Sequence, residues 1–171
     1  MEIYRVAFFG HRTIIGDCAI EYKLFPILRE LLREKEYVEF YVGRNNDFDE
    51  LCARLVRQAK RETGADNASL ILALPYAMKD LPFYEKDYDE VIIPDACVGV
   101  HPEEAITARN RALVDMADLV IAYALRASGA MTAVDYARSK ERRVISVADP
   151  EKYLPVFVLD DTFPSSSFYF D

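Results

Sequence analysis

Short runs of apolar residues alternate along the chain with stretches in which apolar positions recur every three or four residues. Six runs read as strands: "IYRVAFF" (3–9), "VEFYV" (38–42), "SLILAL" (69–74), "EVIIP" (90–94), "DLVIAY" (118–123) and "RVISV" (143–147). Several are apolar throughout instead of alternating, which is the pattern of parallel strands covered on both faces. The stretches between them have helical period. In 19–35, Leu24, Ile27, Leu28, Leu31 and Leu32 share one stripe, with Pro26 marking a late start or a kink. In 48–63, Leu51, Leu55, Val56 and Ala59 do the same, with Asp47 or Asp49 positioned to cap the start and Gly64 the end. Residues 102–117 open with a proline and two acids, a favourable first turn, and 129–140 reads as a short helix ending in basic residues.

Strand and helix in repetition predict an α/β fold: three-layer, doubly wound and Rossmann-like, with a mainly parallel sheet and right-handed crossovers. The 171 residues suit a single domain. Two segments break the rhythm. "PYAMKDLPFYEKDYD" (75–89) carries two prolines and three tyrosines and predicts a long binding loop or lid. "DDTFPSSSFYFD" (160–171) is an aromatic tail, expected to pack on the domain edge or on a second subunit, so a homo-oligomer is one expectation.

Composition narrows the function classes. With 51% apolar and 29% charged residues the chain is ordinary globular protein. No apolar run reaches the roughly 20 residues that span a bilayer, so no membrane association is expected. The N-terminus reads as a strand and not as a signal peptide, which predicts a cytoplasmic location. The net charge of −8 disfavours a bulk electrostatic grip on nucleic acid. Cys18, Cys52 and Cys97 are odd in number and widely spaced, and with Cys18 and Cys52 in predicted helices they predict buried free thiols. Cys97 and His101 offer two ligands where a structural zinc site takes four, so no metal and no other cofactor is expected.

In open α/β sheets the ligand sits outside the carboxyl ends of the strands. After the first strand comes "GHRT": Gly10 permits a tight turn, His11 can donate to a phosphate or move a proton, and Arg12 can fork onto a phosphate. The same residues also read as a hydrogen-bonded turn histidine and a surface charge, and the glycines of a dinucleotide fingerprint are absent. After the second strand, Gly43, Arg44, Asn45 and Asn46 lead into a helix whose first amides suit an anion; a capped loop with no ligand is the other reading. Asp49 there reads as a capping or structural acid. Before the fifth strand, Arg109 and Arg111 flank Asn110; two positions apart they do not share a helix face, so one is free to reach the pocket. After the fifth strand, Ser128, Gly129, Ala130 and Met131 keep the backbone uncluttered at a helix start, and Thr132 adds a hydroxyl. Asp135 follows Thr132 at the spacing of a capping box, which is the alternative reading of that pair.

These residues carry a resemblance. "RNRALVDMADLVIAY" followed by "SGAMTAVDYARSKERRVISV" resembles the SLOG superfamily, the Rossmann-like group that joins the DNA-processing protein Smf/DprA with the LOG proteins. Within it the sequence looks most like small bacterial proteins of the DUF1273/YpsA type, through Gly10-His11, Gly43 to Asp49, Arg109 to Tyr123 and Ser128 to Ala137. The resemblance implies a nucleotide-like small molecule as partner, with its phosphate on the amides of 128–132 assisted by Arg109 or Arg12, and a role as a ligand sensor. LOG enzymes cleave the N-glycosidic bond of nucleoside 5′-monophosphates, and by alignment Arg109 falls at their arginine, with Thr132 and Asp135 at their threonine and glutamate. That makes Arg109 and Asp135 the candidate catalytic pair of an alternative, hydrolytic reading. Here the proline and paired glycines of the LOG loop are missing and the acid is one methylene shorter; a displacement near an ångström costs about a hundredfold in rate. DNA processing, the third reading, runs against the acidic balance.

Overall fold

All six apolar runs pair in one parallel sheet. The computed structural model describes residues 1–44 and 46–148. Strands β1 (Ile3–Gly10), β2 (Tyr37–Val42), β3 (Ala68–Ala73), β4 (Glu90–Ile92), β5 (Leu119–Tyr123) and β6 (Arg143–Ser146) lie in the order β4-β3-β2-β1-β5-β6. Every neighbouring pair is parallel. Helices α1 (Asp17–Glu34), α2 (Asp47–Thr63), α3 (Leu81–Tyr84), α4 (Pro102–Met116) and α5 (Gly129–Ser139) fill the connections.

The sheet is apolar on both faces because both faces are covered. Along β1, Val6 and Phe8 pack with Leu24 and Leu28 of α1 and Leu51 and Leu55 of α2. Ala7 and Phe9 point the other way, into a second cluster with Leu113 and Val114 of α4 and Ala133 and Val134 of α5. Phe8, Phe40, Leu24 and Leu28 are fully buried, and each such side chain contributes about 1.5–3 kcal/mol of apolar transfer. This is the three-layer α/β architecture that the strand–helix rhythm predicts.

Local details depart from expectation. Asn46, not Asp47 or Asp49, caps α2, and Cys18 is an exposed thiol while Cys52 and Cys97 are buried. Helix α1 starts well before Pro26, from Gly16 in a left-handed conformation (φ 81°), and continues past the proline, whose ring is exposed. A proline on the solvent side removes one backbone bond without driving its ring into the core. The 75–89 segment is not structureless: it holds α3 and a single 3₁₀ turn, Glu85–Asp87. The capping box expected from Thr132 and Asp135 does not form, because Ser128 takes the cap of α5 and Thr132 already lies inside the helix. The aromatic tail lies outside the described residues. Among the described residues no helix is long and apolar enough to cross a membrane, and no group of three or more His, Cys, Asp or Glu stands together to hold a metal ion.

The chain leaves β1 for β2 on one side and returns to its other side with β5. The carboxyl ends of β1 and β5 therefore feed connections that diverge, which opens a crevice between them.

Candidate functional site

The crevice holds a cavity of about 460 Å³. Its walls come from the end of β1, the β2–α2 loop, the segment after β3, the middle of α4 and the start of α5. Of the residues singled out from sequence, Gly10, His11, Arg12, Arg44, Arg109, Asn110, Ser128, Gly129 and Ala130 line it. Gly43 lies behind the wall, against Arg109 and Asp49. Met131, Thr132 and Asp135 lie along α5, outside the lining, with Thr132 and Asp135 exposed. Asn45 is outside the described residues. Asn46 of the β2–α2 loop lines it too, as do Asp49, Ile106 and Arg126, which the sequence did not single out for binding.

The start of α5 offers open donors. Ser128 Oγ accepts from the Met131 amide at 3.2 Å, and the Ser128 carbonyl accepts from the Thr132 amide at 2.9 Å and its hydroxyl at 3.0 Å. The amides of Gly129 and Ala130 are then the first-turn donors left for another partner. The first turn carries no acid, and a Cβ on Gly129 would meet nothing within 4 Å. An oxyanion thus has both room and a positive helix end.

His11 is 3% exposed, and its Nε2 accepts from the Leu125 amide at 2.8 Å. The ring stands edge-on to Tyr123, with centroids 5.7 Å apart. It therefore ties the end of β1 to the β5–α5 loop, with Nε2 committed as an acceptor. Gly10 serves packing as well as the cavity wall: a Cβ there would stand 2.2 Å from the Phe48 ring, so glycine is what lets the start of α2 approach β1.

Arg109 and Arg111 divide as their spacing requires. Arg111 is exposed and lies over the Tyr136 ring, while Arg109 turns inward. The Asn110 side chain accepts from Arg109 Nε at 3.1 Å and Nη2 at 2.7 Å, and the Ala73 carbonyl accepts from Nη1 at 3.3 Å. Burial lowers the Arg109 pKa, against the opposing pull of Asp49; a guanidinium stays charged regardless. Asp49 faces it across Gly43. A Cβ at Gly43 would lie 2.8 Å from Arg109 Nη1 and 2.9 Å from Asp49 Oδ2, so the missing side chain is the space in which the two groups converge.

Asp49 belongs to the cap of α2 and to the cavity at once. Its amide donates to Asn46 Oδ1 at 2.6 Å, and its Oδ2 accepts from Asn46 Nδ2 at 2.5 Å. The Gly43 amide also donates to the carboxyl. Burial pushes its pKa up to about 6, against the lowering by Arg109, Gly43 and Asn46.

Arg44 is forked onto Asp80, with Nη1 and Nη2 at 3.1 and 2.8 Å from the two carboxylate oxygens. This pair fastens the segment that carries Tyr76 to the β2–α2 loop. Leu74, Pro75, Tyr76 and Ile106 make an apolar wall. Among the described residues the cavity lining thus carries four arginines (Arg12, Arg44, Arg109 and Arg126), of which Arg44 is paired with Asp80, and one carboxylate, Asp49, on a chain of net charge −8. A larger groove, about 760 Å³, lies at the opposite end of the sheet; Arg29 and Arg33 there are balanced by Glu30 and Glu62.

Neither known protein-family profiles nor curated protein sequences match the chain. Solved structures do match by shape. The DNA processing protein A of Helicobacter pylori, described as binding single-stranded DNA, aligns with a TM-score of 0.57 at 16% identity over 84% of this chain; the match spans 64% of the Helicobacter chain. The molybdenum cofactor carrier protein of Chlamydomonas reinhardtii aligns with a TM-score of 0.56 at 12% identity, covering 93% of this chain and 86% of that one. A second structure of that carrier gives 0.54 at 11% identity, covering 93% and 85%. At these identities the likeness is one of fold alone, a Rossmann-like α/β fold.

Proposed function

We propose that the protein binds a nucleotide or nucleotide-derived small molecule in this cavity and acts as a sensor of it. The observation that carries this reading is the concentration of four arginines and open helix amides at one crevice of an acidic protein. The phosphate is assigned to the Gly129 and Ala130 amides, with Arg12, Arg109 and Arg126 as its cations. The base is assigned to the apolar wall, against Tyr76. The resemblance to DUF1273/YpsA-type proteins of the SLOG group supports the same ligand class.

A thermal-shift panel of nucleoside mono-, di- and triphosphates, dinucleotides and inorganic phosphate tests the reading, because a ligand bound only by the folded state raises the melting temperature. A panel without any shift at millimolar concentration, repeated by calorimetry, overturns it. A single-stranded oligonucleotide belongs in the same panel, since the Helicobacter neighbour is described as binding one.

The hydrolytic reading places Arg109 and Asp135 at the glycosidic bond. Asp135 is exposed on α5 away from the lining residues, whereas Asp49 is the carboxylate that lines the cavity. Binding without turnover is therefore the preferred reading. Release of free base from a nucleoside monophosphate, abolished by Asp135→Asn with binding intact, would reverse that preference.

A further inference from the structure

A carboxylate at the floor of an anion site is an oddity that asks for a reason. Asp49 is 4% exposed, and Arg109, across the gap at Gly43, is the cation facing it. Arg12, Arg44 and Arg126 line the same cavity, and Arg44 is forked onto Asp80. Glu50 and Cys52 come from the helix of Asp49, Tyr88 from the segment before β4, and Glu50 opposes ionisation of Asp49. His11 lines the same cavity, with Nε2 already accepting from Leu125.

An oxyanion that engages Arg109 competes for the guanidinium whose charge favours ionised Asp49. It would leave a buried carboxylate beside a second anion, and a buried charge that loses its partner is strongly unfavourable. The available relief is a proton from solvent. From the shared position of Asp49 and Arg109 about Gly43, we infer that anion binding here is proton-coupled: Asp49 takes up one proton as the anion engages Arg109 and returns it on release. The protonated carboxyl then presents an O–H donor where a repelling charge stood, so Asp49 selects for ligand groups that keep an unprotonated acceptor oxygen. Burial has already brought this carboxyl to about 6, so the proton is within reach near neutral pH. The inference rests on the anion-binding reading above and adds the proton to it.

The test uses the full chain and sodium sulfate, an anion with no titrating proton of its own between pH 5 and 8. Calorimetry at pH 7 in two buffers of different ionisation enthalpy counts protons; the expected result is uptake approaching one per sulfate. The dissociation constant is expected to rise by up to about tenfold per pH unit between pH 6 and 8. Asp49→Asn should bind sulfate with no proton uptake and a flat pH profile. Binding without uptake in the wild type overturns the inference while leaving the anion site intact. A pH profile that persists in Asp49→Asn also overturns it and points to His11. Failure of sulfate and phosphate to bind at any pH refutes the anion reading itself. Should Asp49→Asn fail to fold, carboxyl ¹³C titration of Asp49 in the wild type decides: its midpoint must move up by about one unit or more with sulfate present, and an unmoved midpoint sinks the idea.

Discussion

The Leu125 amide donates to Nε2 of His11, joining two residues 114 positions apart in the chain. The bond fixes the loop that delivers Arg126 and Ser128 to the cavity. Replacing His11 by phenylalanine keeps a ring against Tyr123 but leaves the Leu125 amide, in a part-buried hydrogen bond, without its acceptor. The expected cost is about 1 kcal/mol in urea unfolding. Nucleotide or phosphate affinity should fall more than the stability loss explains, because the loop loses its anchor. An unchanged affinity in a folded His11→Phe variant would show that the loop holds its place without the histidine.

Three glycines should respond differently to the same added methyl. At Gly10 the methyl meets the Phe48 ring at 2.2 Å, so Gly10→Ala is expected to destabilise by about 1–3 kcal/mol or more. At Gly43 it meets the tip of Arg109 and the Asp49 carboxylate, so Gly43→Ala should leave folding largely intact and weaken anion binding about tenfold or more. At Gly129 it meets nothing, and alanine favours the helix, so Gly129→Ala should stabilise by about 0.5 kcal/mol. Melting temperatures and titrations of the three variants side by side check the order.

Asp49 also predicts a pH slope in stability without any ligand. Its folded pKa of about 6 lies above the ordinary carboxylate value of 3.8. The folded state therefore holds the extra proton between these values, and this group's contribution falls as pH rises from about 4 to 6, then levels off. Asp80 and Asp89, whose pKa values are lowered, contribute in the opposite sense, losing stability as pH falls. The difference between wild type and Asp49→Asn isolates the effect. The variant should gain on the wild type by about 2–3 kcal/mol between pH 4 and pH 7. A difference that stays constant across that range would mean the carboxyl titrates normally.

The Arg44–Asp80 fork should act on order more than on overall stability. Asp80 is half-exposed, and surface pairs of this kind contribute little to global unfolding. Asp80→Asn is expected to leave the melting temperature nearly unchanged while speeding tryptic cleavage after Lys79, the residue beside the clasp. Equal cleavage rates would show that α3 and its packing hold the segment without the ion pair.

The sheet was legible because burial on both faces writes itself as unbroken apolar runs such as "VAFF" and "LVIAY". The crevice followed from topology, and the spacing of Arg109 and Arg111 showed that the two do not share a helix face. Asp49 was harder. It lies in a first turn with Asp47 and Glu50, where acids ordinarily sit in solvent beside the helix dipole. The signal for it was the Asn46-x-x-Asp49 pair, in which the side chains bond to each other as well as to the backbone. Helix α3 escaped notice because four residues are too few to show a period. Asp135 drew attention through its distance from Thr132, but Ser128 starts the helix earlier and turns both away from the cavity lining.

The strand made first lies in the middle of the sheet, and one of its two neighbours is β5, with Gly10 beside Tyr123. On the ribosome, β1 can zip to β2 early, yet its other hydrogen-bonding edge stays bare until β5 has emerged. Nascent chains halted before residue 119 should consequently be sticky and bind chaperones, and full protection of β1 amides should arrive only with the strand that also completes the crevice.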